Sequence, residues 1–491
     1  MMSQMQQLLS RRKDITEIIN SDNFVDENVV VCGWVNHIRK QKNIAFCELY
    51  DSAETKINVL HVVFRISENP EYFEKLQRVY VGSSILVSGK LVKLTQRKQS
   101  MELVCAEYEI LGSVADPDEY PLAGRASNTL DVIRQYPELE CHSTIKSSIY
   151  SVRIALMKAS EEFFNSNGYL KVEMPAITFS ECEGGCQPFQ VTSLLQENDR
   201  SKIALNDKTG LIDFDKDFFG MKSFLTVSSQ LELETQLPLG DVWTVTRAFR
   251  GEHSQTSKHL SEFSMIEIEK RFSISSIDII NITEQYIKFC IQKLLTTHRE
   301  QLMYIEKFYE TDNVSKLEQY ASLSFVQISH AEAITILKNV SSDVCQFEHI
   351  PDYSEDLSSE HEKYLADVLY KQPVVIKNYP KAIKSFYMPK IHETEIESHG
   401  VEHVDCFDII VPGVGELVGG SQRIHEYDEL MERISDLGMS IEPLQYYINL
   451  RKYGSVPHGG CGIGFERLVK FIAGVGNVKD CVPFPRYIKC G

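Results

Sequence analysis

The sequence lacks an excess of basic residues, a framework of paired cysteines and any apolar run of membrane-spanning length. Its 69 Asp and Glu residues outnumber 51 Lys and Arg, giving a net charge of −18. This balance excludes a protein that holds nucleic acid by bulk positive charge. None of the 12 cysteines lies in a CxxC pair, so we expect buried thiols in a reducing compartment. Because neither a membrane span nor a secretory leader is recognisable, we expect a cytoplasmic protein without a membrane partner.

The sequence does have the composition of a globular protein with more than one domain. Apolar residues make up 43% and charged residues 24% of the 491 residues, which excludes a largely disordered chain. The length exceeds that of one ordinary domain. Changes of pattern predict a short N-terminal segment (1–27), a β-rich region (28–111), a turn-rich linker (112–142) and a mixed region (143–491).

The β-rich region predicts a small barrel. Five β-type runs follow one another, with an amphipathic stretch near residues 71–79 between the third and fourth. This order is typical of a five-stranded Greek-key barrel, although a small β-domain of another kind fits the same pattern. Within the run IAFCEL, alternation assigns Ala45 and Cys47 to the core and Phe46 to the opposite face. Residues 27–111 carry 11 Lys and Arg against 10 Asp and Glu, so this part is basic relative to the remainder.

The mixed region predicts a sheet covered by helices. From Ser143 the apolar residues recur three and four apart until Gly168, as in one long amphipathic helix. Beyond it, β-type runs such as VWTVTRAFR and CFDIIVPG alternate with helical ones such as YDELMERISDLG. The chain is therefore expected to belong to the α+β class.

The most specific signal is the pattern FRxE…HxxxFxxxE over residues 249–267. It predicts two antiparallel strands joined by a polar loop, with Arg250 and Glu252 on one face. A guanidinium can grip a phosphate through two parallel hydrogen bonds, and Phe263 offers a flat surface on which a base can stack. These residues could together hold a nucleotide, although an edge hairpin with salt bridges is the alternative.

Two further segments support a ligand site. Residues 459–464 alternate glycines and lead into an apolar helix whose first turn carries Arg467, so that backbone and guanidinium can approach a ligand. The spacing differs from that of a dinucleotide fingerprint. Ahead of both, residues 168–177 follow the long helix with a strand interrupted by Pro175, which belongs at an edge or interface.

In this order, the three segments resemble motifs 1, 2 and 3 of the class II aminoacyl-tRNA synthetases. The preceding barrel points to the aspartyl, asparaginyl and lysyl subgroup, and the resemblance covers about residues 28–491. The strings FLTVSSQLELE, NYPKAIKSFYM and GELVGGSQR are most similar to asparaginyl members. The resemblance implies an OB-fold anticodon-binding domain followed by a catalytic domain with an antiparallel sheet flanked by helices.

The resemblance also implies a site for ATP and Mg²⁺ between motifs 2 and 3. Arg250 would hold the α-phosphate, Arg467 would lie near the γ-phosphate, and Glu416 would bind the metal; these three would carry the catalytic role. Where aspartyl relatives often have a serine as a second metal contact, this chain has Gly419. The remaining implied ATP contacts are Glu252 at the adenine edge, His259 at the terminal phosphates, Phe263 under the adenine and Gly464 in the glycine-rich strand.

An amino-acid pocket is implied next to it. Its residues would be Glu183 at the α-ammonium group, with Gln230 beside it, Tyr387 in the wall, and Leu233, Glu234 and Arg423 around the side chain. Aspartyl relatives have a lysine in the place of Leu233, and without that cation a buried aspartate carboxylate would be under-compensated. A carboxamide could instead accept from Arg423 and donate to a carboxylate such as Glu234. We therefore expect asparagine as the substrate.

The implied partners are tRNA(Asn) and a second copy of the chain. Phe46 matches the aromatic residue on which these barrels stack an anticodon base, with Asn36 and Arg39 adding base-edge or phosphate contacts. A core role for Phe46 is the alternative. Pro175 would mark the homodimer interface of motif 1.

The expected function is ATP-dependent activation of L-asparagine to asparaginyl-adenylate and transfer to the 3′ end of tRNA(Asn). One alternative is an aspartyl-tRNA synthetase, whether or not it discriminates between tRNAs. The other is an ATP-dependent amidating enzyme that forms free asparagine on the same catalytic fold.

Overall fold

The computed structural model describes residues 4–65, 74–94, 101–122, 129–180, 188–195, 203–254, 256–341, 343–391 and 399–490. The chain divides into two compact units, Met1–Val152 and Arg153–Gly491. Over the described ranges, no helix combines the length and apolar character needed to cross a membrane.

The first unit contains the expected barrel. Its described strands are β1 (Asn28–Lys40), β2 (Ile44–Tyr50), β3 (Leu60–Arg65), β4 (Ser84–Lys93) and β5 (Met101–Gly112). They close in the order β1-β2-β3-β5-β4; β3 and β5 run parallel and the other neighbouring pairs antiparallel. The five-stranded barrel is thus confirmed. Of the amphipathic stretch, residues 71–73 lie outside the described residues, whereas Leu76 and Val79 are buried in the barrel core.

Strand alternation determines what fills the barrel. Val29, Val31 and Val35 of β1 point inward and are almost completely buried, as expected for a pleated strand with one face on the core. The pairing of β1 with β2 shifts register after Val35, which places Asn36 at a bulge. The described helices of this unit are α1 (Gln4–Leu9), α2 (Ile15–Ile19), α3 (Ala53–Ile57) and α4 (Leu130–Ile133).

The second unit is built on a large mixed sheet. Its strands, within the described residues, are β6 (Leu170–Lys171), β10 (Val242–Phe249), β11 (Glu262–Arg271), β12 (Val326–Ser329), β13 (Val374–Lys377), β14 (Cys406–Val411), β15 (Gly415–Gln422) and β16 (His458–Gly464). They lie in the order β12-β13-β14-β15-β16-β11-β10-β6. The five central pairs are antiparallel as expected, but the two edge pairs are parallel. A parallel edge strand needs a crossover connection; helices supply it between β12 and β13, whereas the described part of the connection from β6 to β10 carries three short strands and the helix Gln230–Glu234.

A second, small sheet and the helices complete this unit. The small sheet pairs β7 (Ile177–Thr178), β8 (Gln190–Val191) and β9 (Ser223–Leu225). The predicted long helix is confirmed as α5, which ends at Ser166 just before Gly168 with φ +79. The described helices are α5 (Thr144–Ser166), α6 (Gln230–Glu234), α7 (Ser276–Thr297), α8 (Arg299–Tyr309), α9 (Asn313–Ser322), α10 (His330–Lys338), α11 (Ser359–Lys363), a π-helix (Tyr364–Leu369), α12 (Tyr427–Asp436), α13 (Gln445–Lys452) and α14 (Phe465–Ala473).

The cysteines are less uniformly buried than expected. Among the described residues, ten are free thiols. Five of these are buried, but Cys141 and Cys490 are exposed and the remaining three are half-buried. The prediction of buried thiols is therefore wrong for about half of them, because cysteines in barrel strands and linkers also face outward.

Candidate active site

Four strands and one helix bring the predicted ATP-binding residues together. β10, β11, β16 and β15 pair antiparallel in that order. The last residues of β10 and β16 therefore lie at the same end of the sheet as the first residues of β11 and β15. Arg250 follows β10, and Arg467 lies in the first turn of α14, directly after β16. Phe263 and Glu416 are the second residues of β11 and β15. Because β10 ends at Phe249, Arg250 and Glu252 lie just beyond the strand that was expected to hold them.

A cleft of about 260 Å³ lies at this end of the sheet. All the residues assigned to ATP from the sequence line it: Arg250, Glu252, His259, Phe263, Glu416, Gly464 and Arg467. Lys258, Met265 and Gly462 lie in the same wall. A Cβ atom on Gly462 would come within 2.5 Å of Met265 Cε, the mobile end of a neighbouring side chain.

The two arginines lie around one carboxylate. The guanidinium carbon of Arg250 lies 5.5 Å from the centroid of the Phe263 ring. Arg467 Nη1 donates to the Glu416 carbonyl at 2.7 Å and lies 3.5 Å from Glu416 Oε2. Although burial would raise the pKa of Glu416, Arg467, Lys384 and Arg250 lower it. The cleft thus combines two fixed guanidinium groups with an ionised carboxylate.

His259 is oriented by the loop between β10 and β11. Its Nδ1 lies 2.6 Å from Thr256 Oγ1 and 3.0 Å from Ser254 Oγ, while Nε2 lies 3.9 Å from Glu252 Oε2. Burial and the nearby charge of Arg467 lower the pKa of His259. The imidazole is therefore neutral at pH 7 and directs its Nε2 side into the cleft.

A second cavity of about 220 Å³ adjoins the cleft. The predicted pocket residues Gln230, Tyr387 and Arg423 line it. Arg250, Met265, Glu416 and Gly462 belong to the walls of both cavities. A molecule in the second cavity would thus meet a phosphate chain in the first beside Arg250 and Glu416.

The floor of the second cavity is a buried network of balanced charges. Arg423 lies over the Tyr387 ring at 5.1 Å and donates to Glu269 at 2.6 Å. Behind it, Glu234 accepts from Arg451 at 2.6 Å, and Arg423 Nε lies 3.8 Å from its Oε1. Burial raises the pKa of Glu269, against the opposing charge of Arg423. Two carboxylates face two guanidinium groups, so the floor offers polar groups without a net positive charge.

This network also accounts for a cluster with the spacing of a metal site. Ligand atoms of Glu234, Glu269 and His458 lie within 4.8 Å of one another. Arg423 and Arg451 already pair with the two carboxylates. A divalent ion there would lie beside two guanidinium groups, so electrostatic repulsion opposes it.

The second cavity also brings Glu416 near another acid, Asp408, which the sequence reading missed; both carboxylates already have a cationic partner, Arg467 and Lys384 respectively. A Cβ atom placed on Gly419 would lie 3.4 Å from Glu416 Oε1 and 3.5 Å from Asp408 Oδ1. The two carboxylates therefore flank one position in the second cavity, as hard cations require. Asp408 pairs with Lys384 at 3.0 Å, and burial raises its pKa to about 6 although Lys384 opposes this. The sequence feature that could have indicated Asp408 is that it is the one acidic residue in the apolar segment CFDIIVPG.

Two of the predicted amino-acid contacts are placed differently from the expectation. Leu233 does not line the cavity; it is completely buried against Leu237 and Val242, and the prediction that it contacts the substrate is corrected. Glu234 lies behind the wall, where it accepts from Gln230 Nε2 at 3.1 Å. Glu183 lies outside the described residues.

The barrel presents aromatic rings on its outer surface. Phe46 is 36% exposed, whereas its neighbours Ala45 and Cys47 are buried, as alternation predicted. Arg39 lies opposite Phe46 in the β1–β2 register, and Asn36 donates to Glu48 at 3.2 Å. The sequence reading also missed Trp34, which is 41% exposed. Because neighbouring residues of a strand point to opposite faces, the apolar Val35 next to it could have predicted that Trp34 faces outward.

Comparisons with known proteins agree with this geometry. The family model described as tRNA synthetases class II (D, K and N) matches residues 129–488, and the one described as OB-fold nucleic acid binding domain matches residues 29–111. The chain is 38% identical to the asparagine–tRNA ligases of Escherichia coli O157:H7 and Shigella flexneri over 474 residues, 96% of this chain and 97% of each relative. The asparaginyl-tRNA synthetase of Pyrococcus horikoshii, solved with asparaginyl-adenylate, matches with a TM-score of 0.81 and 26% identity, over 97% of this chain and 98% of that one.

Proposed function

Because the chain belongs to the class II aminoacyl-tRNA synthetases of the aspartyl, lysyl and asparaginyl group, we propose that its two joined cavities bind ATP and L-asparagine side by side. The activity is that of an asparagine–tRNA ligase, which uses ATP to form asparaginyl-adenylate and transfers the asparaginyl group to tRNA(Asn). The observation that carries this proposal is that Arg250 and Glu416 line both cavities. A phosphate group held there lies at the boundary between the two substrates.

Adenylate formation joins the asparagine carboxylate to the α-phosphorus of ATP. A carboxylate oxygen forms the new O–P bond while the bond to the pyrophosphate oxygen breaks in line, and pyrophosphate leaves with the electron pair. Arg250 donates to the α-phosphate oxygens, on which charge develops, and Arg467 and His259 hold the terminal phosphates. Phe263 stacks on the adenine and Glu252 accepts from its amino group. The attacking carboxylate is already ionised, so positioning and electrostatics carry the step.

If Mg²⁺ accompanies the ATP, Glu416 and Asp408 would hold it, beside the cations Arg467 and Lys384 that pair with them here. Two carboxylates near the phosphates are the oxygen ligands that this ion prefers, and the small Gly419 leaves room for its water molecules. Bound there, Mg²⁺ would neutralise charge on the phosphate oxygens. Lys384 holds Asp408 in place through their ion pair.

The second cavity suits a neutral carboxamide. Arg423 can donate to the amide oxygen, and Glu269 in the wall can accept from the amide nitrogen; Glu234, behind the wall, supports this arrangement through Gln230. The charge of Arg423 is already balanced by Glu269, so an aspartate carboxylate would add an uncompensated negative charge in a buried site. Glu183 and Gln230 would bind the α-ammonium group.

Transfer requires tRNA, and the barrel supports its binding. In the second step the terminal 3′-hydroxyl attacks the adenylate carbonyl, an ester forms and AMP leaves. The exposed ring of Phe46 offers a stacking surface for an anticodon base, with Arg39 and Asn36 nearby. Pro175 lies exposed after β6, in agreement with a homodimer formed through motif 1.

Pyrophosphate exchange into ATP tests the substrate. We expect asparagine to support exchange with a kcat/KM at least about 100-fold above that of aspartate, because the balanced floor leaves a second carboxylate uncompensated. The reaction should proceed without tRNA or ammonia. Exchange with aspartate but not with asparagine would show that the substrate assignment is wrong.

A further inference from the structure

A rare helical segment contacts the ATP cleft from behind. α11 continues directly into the π-helix Tyr364–Leu369, in which the Tyr370 N–H donates to the Leu365 carbonyl five residues earlier, at 3.0 Å. Such π-turns are uncommon and are frequent at functional sites. Glu362, near the end of α11, and Asp367, in the π-helix, both reach one neighbouring segment.

That segment is the turn between β14 and β15 together with the start of β15. Asp367 Oδ1 accepts from the Gly413 N–H at 2.7 Å, and Glu362 Oε2 accepts from the Glu416 N–H at 3.3 Å. One carboxylate therefore binds the backbone of the turn itself, and the other binds the backbone at the start of β15. The second of these bonds fixes the residue whose side chain we assign to the metal.

Glu362 also faces a cation of the ATP cleft. Lys258 Nζ lies 3.6 Å from Glu362 Oε2, and the two side chains are only 23% and 16% exposed. Gly415 has φ +88, and a Cβ atom on it would lie 2.6 Å from Lys258 Nζ and overlap the Glu362 carboxylate. Because glycine at position 415 has no side chain, Lys258 and Glu362 have room to approach each other there.

We propose that Glu362 is a positioning residue for ATP: it holds the ammonium group of Lys258 and the backbone of Glu416 where the triphosphate binds, with Asp367 as a second anchor of the turn. The inference rests on the proposed function, since it concerns the same triphosphate. Glu362 is absent from the described lining of both cavities, so it acts through Lys258 and Glu416. When Glu362 carries no charge, the long Lys258 side chain is not held in place beforehand, so binding of ATP must order it and is weakened by that loss of entropy.

The variant Glu362→Gln separates this role from a merely structural one. Burial and the nearby Glu416 carboxylate raise the pKa of Glu362 to about 7, so the comparison is made at about pH 8, where most of this carboxylate is ionised. Glutamine can still accept from the Glu416 N–H but cannot carry the charge that faces Lys258. We expect the KM for ATP in pyrophosphate exchange to rise about tenfold, because immobilising a flexible side chain then opposes binding. The KM for asparagine should stay within about twofold of wild type, since the second cavity is not altered.

Glu360→Gln is the matched control. Glu360 lies on the same helix and accepts from two backbone N–H groups, those of Glu348 and His349, but not at the cleft. This variant should leave both KM values unchanged, whatever it does to the melting temperature. Lys258→Met is a second test, which does not depend on the folding of the Glu362 variant, and it should raise the KM for ATP about as much. The KM for ATP of the double variant should not exceed that of Lys258→Met.

The outcomes separate the two proposals. A wild-type chain without asparagine-dependent exchange contradicts the proposed function itself. If the wild type is active, three results contradict only the positioning role of Glu362. The Glu362→Gln variant could keep its KM for ATP, or it could raise the KM values for ATP and asparagine equally. The effects of Glu362→Gln and Lys258→Met on the KM for ATP could also add fully in the double variant. If the Glu362 variant does not fold, an unchanged KM for ATP in Lys258→Met contradicts that role equally.

Discussion

Replacing Arg250 with alanine is expected to lower kcat/KM for asparagine-dependent pyrophosphate exchange about a thousandfold, equivalent to about 4 kcal/mol. The residue lines both cavities, where charge develops as pyrophosphate leaves. Arg250→Lys should restore little, because an ammonium group cannot make two parallel hydrogen bonds to a phosphate.

Arg247→Ala is the matched control for this variant. Arg247 lies in β10, three residues before Arg250, and its side chain is about half exposed. Its Nε lies 3.9 Å from Glu262 Oε1, which is a long ion pair. Loss of such an exposed pair should change exchange by less than about twofold. The assignment of Arg250 fails if its alanine variant keeps more than a tenth of wild-type exchange while Arg247→Ala is normal.

The second large effect is expected on stability. Replacing Arg451 with methionine should lower the free energy of unfolding of the catalytic unit by about 3–5 kcal/mol, because it leaves the buried Glu234 carboxylate under-compensated. Arg451 donates to Glu234 at 2.6 Å, and both side chains are completely buried. Although burial alone would raise the pKa of Glu234, Arg451, His458 and Arg423 together lower it.

Urea unfolding measures this loss. The chain has two tryptophans, so a Trp34→Phe background leaves Trp243, which is buried in the catalytic unit, as the fluorescent probe. Lys316→Met is the control, since Lys316 and Asp312 form an exposed pair on α9 that should contribute less than about 1 kcal/mol. A loss below 1 kcal/mol for Arg451→Met would contradict a charge network that depends on this pair.

Local patterns in the sequence were sufficient for the barrel and for the ATP cleft. The barrel follows from strict alternation, which distinguished the exposed Phe46 from the buried Ala45 and Cys47. The ATP residues lie in three short segments at one end of neighbouring strands, and the resemblance of these segments to the class II synthetase motifs implied that they share a site. Arg250 and Arg467 could therefore be placed in one cleft before any coordinates.

The amino-acid pocket depends on contacts that local patterns do not carry. Leu233 lies at the sequence position where aspartyl relatives have a lysine, but a sequence position does not say which way a side chain points. Its apolar side chain packs into a hydrophobic cluster. The partners of Glu234 and Glu269 lie 217 and 154 residues away. Pairing over such separations is decided by the completed sheet, which also brings Asp408 beside Glu416.

The most direct measurement is a crystal structure of the chain with the sulfamoyl analogue of asparaginyl-adenylate. The account predicts the adenine on Phe263, the sulfamoyl group within hydrogen-bond distance of Arg250, and the carboxamide oxygen on Arg423. A ligand whose carboxamide faces away from Arg423, or whose sulfamoyl group lies beyond reach of Arg250, would contradict the claim that the two joined cavities unite ATP with asparagine.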